Sequence, residues 1–161
     1  MAQNLEIRAM QIDALDRKIL RELQTNARVP VAELARRVGL SKTPVAARIK
    51  AMEDAGLITG YRALLSPLQM GLSHVAFVQV KMVDTRETAL RAFNDAARAV
   101  PEIEECYMIA GGFDYLLKVR TRDMAEYRRV VGDVISTLPG IYTTSTFVAM
   151  EAVVEEARIA V

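Results

Sequence analysis

Between Arg28 and Lys50 the sequence carries six basic residues, at 28, 36, 37, 42, 48 and 50, against one acid, Glu33. Such a set can neutralise phosphates and donate hydrogen bonds to base edges. Arg48 has the planar fork that meets guanine, and Lys42 the point charge that meets phosphate. Ser41, Thr43 and Pro44 flank Lys42, and Lys50 extends the same polar face. Arg36 and Arg37 read equally well as DNA contacts and as the solvated face of a helix. A second group is Gly111-Gly112-Phe113-Asp114. Paired glycines let backbone N–H groups approach a ligand carboxylate. Asp114 can accept from an ammonium group or stabilise a turn. From the residues alone, a tight hairpin turn is the simpler reading of the glycine pair. Tyr107 and Phe113 are packing residues able to wall a pocket, and Thr143, Thr144, Ser145 and Thr146 follow β propensity. Glu102, Glu104 and Glu105 have no complementary acid or nucleophile nearby, so solvation or ion pairs between subunits suit them better than catalysis. His74 reads as structural, and Cys106 as alternating onto a packed face.

These residues need elements to hold them. The periodicity predicts a first helix over 13–25, with Leu15, Ile19, Leu20 and Leu23 on one face and Asp13 as its N-cap. A second helix spans 31–38 and stops at Gly39. Ser41 caps a third, with Pro44 in its first turn, Val45, Ile49 and Met52 as its buried stripe, and Gly56 as its end. Two helices joined across a short glycine-containing turn form a helix-turn-helix. Residues 57–65 suit a short strand or wing leading into a connector. Beyond them the rhythm changes to a strand over 74–83, a helix over 85–100 and a strand over 103–110 with Ile103, Tyr107 and Ile109 on one face. A strand over 115–121, a helix capped by Asp123 with Met124 and Tyr127 in its stripe, and a β-rich tail over 141–154 follow. The order β-α-β-β-α-β is the ferredoxin-like unit. The expected class is therefore α+β: an N-terminal winged helix-turn-helix of three helices (1–60), a connector (61–73) and a C-terminal ferredoxin-like βαββαβ domain (74–161). Apolar residues on both strand faces call for a partner over the face that the helices leave bare.

The chain has 161 residues with 21 Lys+Arg and 20 Asp+Glu, a net charge of +1 that conceals an asymmetry. Through Arg62 there are 11 basic and 7 acidic residues, and from Ala63 onward 10 and 13. A basic first portion joined to an acidic one fits a nucleic-acid reader attached to something else. One His and one Cys give no intrachain disulfide, no His/Cys metal cage and little material for His-based catalysis. No apolar run is long enough to span a membrane, and the N-terminus shows no secretory pattern, so a reducing cytoplasm is expected.

Three segments of the first half resemble the opening of the Lrp/AsnC family of feast/famine regulators: Ile12-Asp13-Ala14-Leu15-Asp16-Arg17-Lys18-Ile19-Leu20, the run from Leu34 through Gly39 and Ser41 to Val45, and Gly56-Leu57-Ile58-Thr59-Gly60-Tyr61. Gly111-Gly112-Phe113-Asp114-Tyr115-Leu116-Leu117 resembles the family's effector loop, and Leu138-Pro139-Gly140-Ile141 its lead into the last strand. The resemblance implies a transcription regulator of amino-acid metabolism whose helix-turn-helix presents Arg36 and Arg37 of the second helix, and Ser41, Lys42, Thr43, Pro44, Arg48 and Lys50 of the third, to double-stranded DNA. It implies a small amino-acid effector, and no other cofactor, at Tyr107, Gly111, Gly112, Phe113, Asp114, Thr144 and Thr146, between effector domains. It also implies a homodimer built through the sheet, assembling into an even-numbered oligomer such as an octamer. Ala47 stands where the family often has a second basic residue, and Gly112 where it often has a polar one. A nucleoid-type architectural role is the alternative, and an amino-acid-sensing enzyme subunit a further one.

Overall fold

The computed structural model describes residues 10–155 and 159–161. Residues 1–9, where no secretory pattern was expected, lie outside them. The chain divides into two compact units, Met1–Leu64 with Glu156–Val161, and Leu65–Glu155. The second unit thus takes in residues 65–73, expected as connector, and the last residues belong to the first.

The first unit is helical: α1 Ala14–Thr25, α2 Val31–Val38 and α3 Lys42–Asp54. Asp13 caps α1 through a reciprocal pair of bonds. Its carboxylate accepts from the Leu15 and Asp16 amides at 2.8 Å, and the Asp16 carboxylate accepts from the Asp13 amide at 3.1 Å. Those bonds satisfy amides that a helix start otherwise leaves unpaired. Gly39 ends α2 at φ +76, and the Leu40 amide reaches back to the Ala35 carbonyl at 3.0 Å. This left-handed turn, which glycine adopts without Cβ strain, swings the chain straight into α3. Ile19, Leu34, Val45 and Met52 are fully buried where the three helices meet. No strand forms over residues 57–65, so the expected wing is absent. A strand needs a neighbour's N–H and C=O groups, and the described residues of this unit form no other strand. Instead Tyr61 donates to Glu53 Oε1 at 2.8 Å and ties the segment to the end of α3.

The second unit contains β1 His74–Met82, α4 Glu87–Arg98, β2 Ile103–Met108, β3 Tyr115–Thr121, α5 Met124–Asp133, a 3-10 turn over Ile135–Thr137, and β4 Ile141–Val148. The strands form one antiparallel sheet in the order β2-β3-β1-β4. Ala76, Val78 and Val80 of β1 and Leu117 and Val119 of β3 bury one sheet face with Phe93 of α4 and Val130 of α5. Period-2 alternation leaves Phe77, Gln79, Lys81, Leu116, Lys118 and Arg120 on the other face.

Three expectations change here. The register of β2 shifts between Ile103 and Glu105, and one extra residue reverses the parity of everything after it. Cys106 and Met108 therefore pair with Leu117 and Tyr115 on the helix side, and Tyr107 shares the bare face; all three are exposed, so Cys106 does not pack as expected. Met124, expected in the buried stripe of α5, is exposed. The last strand stops at Val148 instead of running to 154, with one further bond from the Ala149 amide to the Val75 carbonyl at 2.9 Å where β1 itself begins.

Candidate DNA-reading and ligand-binding sites

The helix-turn-helix presents the start of α3 to solvent. Ser41, Lys42, Thr43 and Pro44 are all exposed. Ser41 is the N-cap by position, but its hydroxyl makes no capping bond. Among the described residues the first amides of α3 thus have no side-chain cap, and the positive end of the helix stands beside Lys42. Helix starts of this kind favour anions. Lys50 is exposed and paired with Asp54 at 3.0 Å, a solvated contact that a phosphate can displace.

The other expected cations are engaged within the unit. Arg36 pairs with Glu33 at 2.7 Å, and Arg37 with Glu33 at 2.8 Å and Glu22 at 2.7 Å. Arg36, followed by Arg37, holds the Glu33 carboxyl down to about 2. Arg48 turns away from the exposed face. Its Nη1 donates to Asp13 Oδ2 and to Asp16 Oδ1, both at 2.7 Å, and its side chain is only 32% exposed. The guanine contact expected of Arg48 therefore competes with two carboxylates. Asp13 and Asp16 lie more than thirty residues before Arg48, so a local reading of α3 cannot see them.

In the second unit the Gly111–Asp114 loop hangs on the end of β1. The Asp114 amide donates to the Val80 carbonyl at 2.9 Å, and the Ile109 amide donates to the Asp114 carbonyl at 2.8 Å. The Asp114 carboxylate accepts from the Met82 amide through Oδ2 at 2.7 Å. One of its oxygens is thus structural, and Oδ1 makes no hydrogen bond among the described residues. Gly111 and Gly112 are exposed and Phe113 is half-buried. Thr144 pairs with Val80 from the other side of β1. The loop and Thr144 accordingly flank the same end of that strand. Thr146 lies two residues further on, and its hydroxyl bonds to the buried Tyr127 hydroxyl at 2.6 Å. Tyr107 is on the opposite sheet face, where it donates to Glu105 at 2.7 Å. The loop and Thr144 thus gather at one end of β1, whereas Thr146 lies further along β4 and Tyr107 on the opposite sheet face. Lys81, which the sequence did not single out, lies 3.5 Å from the Gly112 carbonyl and adds a cation beside the loop.

The bare sheet face carries a charged cluster as well. Arg120, 8% exposed, is bound by Glu104 and, at 2.5 Å, by Glu155. Lys118 reaches Glu155 at 2.6 Å and Glu104 at 3.1 Å. Burial opposes the charge on Arg120, but Glu104 and Glu155 outweigh it and hold the guanidinium above its ordinary range. Glu104, expected from sequence to be solvated or paired between subunits, is instead paired within its own chain. His74 is structural, with Nδ1 3.0 Å from the Thr121 hydroxyl and its ring packed on Tyr127.

Comparison with known proteins places both units. Residues 12–53 match the family profile described as the AsnC-type helix-turn-helix domain, and residues 75–159 the profile described as the Lrp/AsnC ligand binding domain. A proline dehydrogenase transcriptional activator from Rhodobacter capsulatus is 67% identical over 145 residues, covering 90% of this chain and 94% of the relative. Its counterpart from Rhizobium radiobacter is 54% identical over 144 residues, covering 89% and 92%. A transcriptional regulator from Neisseria meningitidis, solved as a complex with L-Met, superposes with a TM-score of 0.88 at 32% identity, covering 93% of this chain and 97% of that one.

Proposed function

Since the chain belongs to the Lrp/AsnC family of transcription regulators, we propose that it is a proline-responsive regulator that activates a proline dehydrogenase gene. The identity of 67% with an activator of that name carries the choice of target. The ligand class is supported by the L-Met complex of the Neisseria regulator. In this reading α3 lies in the major groove. Ser41, Lys42 and the first α3 amides meet phosphate, and Lys50 leaves Asp54 for a second phosphate. The outward methyl groups of Thr43, Ala46 and Ala47 suit thymine methyls. Arg36 and Arg37 exchange Glu33 for DNA at the edge of the contact.

Proline enters at the end of β1. Its carboxylate faces the Gly111 and Gly112 amides and Lys81, and its secondary ammonium faces Asp114 Oδ1. Thr144 and Phe113 border the ring. Tyr107 and Thr146 lie off this end and act through neighbouring strands or a second subunit. Two chains join through the bare sheet face, where Phe77 and Phe147 form an exposed cross-strand pair, and dimers add to an even-numbered assembly. Ligand then shifts the population of assemblies by preferring one of them.

A thermal-shift screen of the twenty amino acids tests the ligand, because a compound that binds only the native state raises its melting temperature. Proline is expected to give the largest shift and to change binding to the region upstream of a proline dehydrogenase gene. A shift with another amino acid and none with proline refutes the assignment.

A further inference from the structure

The Arg48 network carries an inference about how the recognition helix is held. Each oxygen of the Asp13 and Asp16 carboxylates has a donor. Asp13 Oδ1 takes the Leu15 and Asp16 amides, Asp16 Oδ2 takes the Asp13 amide, and the two remaining oxygens take Arg48 Nη1. Asp16 is only 5% exposed. An arginine that left for a base edge would strand a buried carboxylate without its cation. That loss exceeds what one bidentate guanine contact returns.

The helical period gives the same answer. Arg48 is three residues from Val45 and four from Met52, both fully buried, so it lies on the flank of α3 that packs inward. Thr43, Ala47 and Lys50 fall on the opposite side. The apolar contacts of Val45, Ile49 and Met52 are non-directional, so a directed polar contact adds to what fixes the rotation and axial position of α3. A guanidinium bound to two carboxylates at the start of α1 is such a contact.

We propose that Arg48 is a positioning residue for DNA recognition: it fixes α3 against the capped N-terminus of α1 through Asp13 and Asp16, and it does not contact DNA. The proposal rests on α3 being the recognition helix of a family regulator. The test compares full-length wild type, Arg48→Lys, Arg48→Gln, Asp16→Asn and the Arg48→Gln/Asp16→Asn double variant. Each is titrated over a range of salt against a duplex that the wild type selects from a random pool, and against a random duplex. If the wild type prefers neither duplex, the recognition-helix reading itself fails and the proposal falls with it.

Arg48→Lys and Arg48→Gln are expected to lose about tenfold or more on the selected duplex and much less on the random one, with the salt slope unchanged. Asp16→Asn is expected to reproduce that pattern, and the double variant to add nothing further. Melting curves fix an assay temperature at which each variant is folded, and Arg48→Lys keeps the charge should Arg48→Gln fold poorly. A slope reduced by about 0.9 per binding site in either Arg48 variant, with Asp16→Asn normal, assigns Arg48 a phosphate contact and overturns the proposal. Unaltered affinity of folded Arg48→Lys for both duplexes overturns it too, by reducing Arg48 to a stabilising role.

Discussion

Asp114 and Arg48 are polar residues whose sequence context points outward and whose bonds point inward. Asp114 accepts the Met82 amide where the β1–β4 register shifts. Asp114→Ala leaves that N–H without its acceptor. The expected cost to the second unit is about 1–3 kcal/mol, the usual penalty for a half-buried donor left unpaired. Asp114→Asn keeps one carbonyl oxygen for Met82 and should cost less, while removing the charge that faces an ammonium. Urea unfolding orders the variants as wild type, Asn, Ala. Calorimetry should find proline affinity reduced in both, because the Asn variant keeps the latch and loses only the charge. Equal stability in all three would remove the latch. Residue types and spacing suffice to mark Arg48 and Asp114 as important. Their roles depend on partners more than thirty residues away in sequence, which no local pattern reports.

Elements were more legible than sites because their signals are local. Helices α1 to α3 follow apolar stripes and caps, and the βαββαβ order follows a change of period, so both could be read from the chain. The absent wing and the parity of β2 could not. One depends on whether a neighbouring strand exists, and the other on a single extra residue at Glu104. Glycine positions test the local logic in opposite directions. Gly140 precedes β4 at φ +78, and a Cβ there would lie 2.9 Å from Met82 Cε. Gly140→Ala should cost about 1–3 kcal/mol from the strained conformation and the contact together. Gly132 lies exposed within α5 with open space at its Cβ position, so Gly132→Ala should gain about 0.5–1 kcal/mol. Thermal melts should move down for one and up for the other. The bare sheet face supplies a third test. Replacing Phe77 and Phe147 by Ser removes the apolar cross-strand pair from the proposed dimer seam, and sedimentation should show self-association weakened by about tenfold or more. Unchanged association places the seam elsewhere.

Charge distribution links the two units at the scale of the whole molecule. The near-zero net charge is a basic reader offset by an acidic ligand unit, and in each unit lowered carboxylates hold cations in place. In the first, Arg36 and Arg37 depress Glu33 to about 2. Asp13 is lowered by the Asp16 amide first and by Arg48 as well. In the second, burial raises Glu104, but Arg120 and Lys118 overcome it, and Lys118 with Arg120 lowers Glu155. A carboxyl depressed in the native state stabilises it fully above the unfolded value, and that contribution disappears as pH falls through the native value. For Glu33 the loss runs from about 4.5 to about 2. The surroundings of the two sets differ. Arg36 is 75% exposed beside Glu33, whereas Arg120 is 8% exposed between Glu104 and Glu155. Salt screens exposed pairs far more than enclosed ones. Hydrogen exchange followed by mass spectrometry, at stepwise pH from 6 to 2, resolves the units separately. Protection should fall with acid in both. Raising salt to about 0.5 M should flatten the pH dependence around the Arg36–Glu33 contact, where the Debye length has shrunk to about 4 Å, and leave that around Arg120 largely unchanged. Equal damping in the two units would mean that the Arg120 cluster is open to solvent, and the bare sheet face would then lack the enclosed ion pairs described for it.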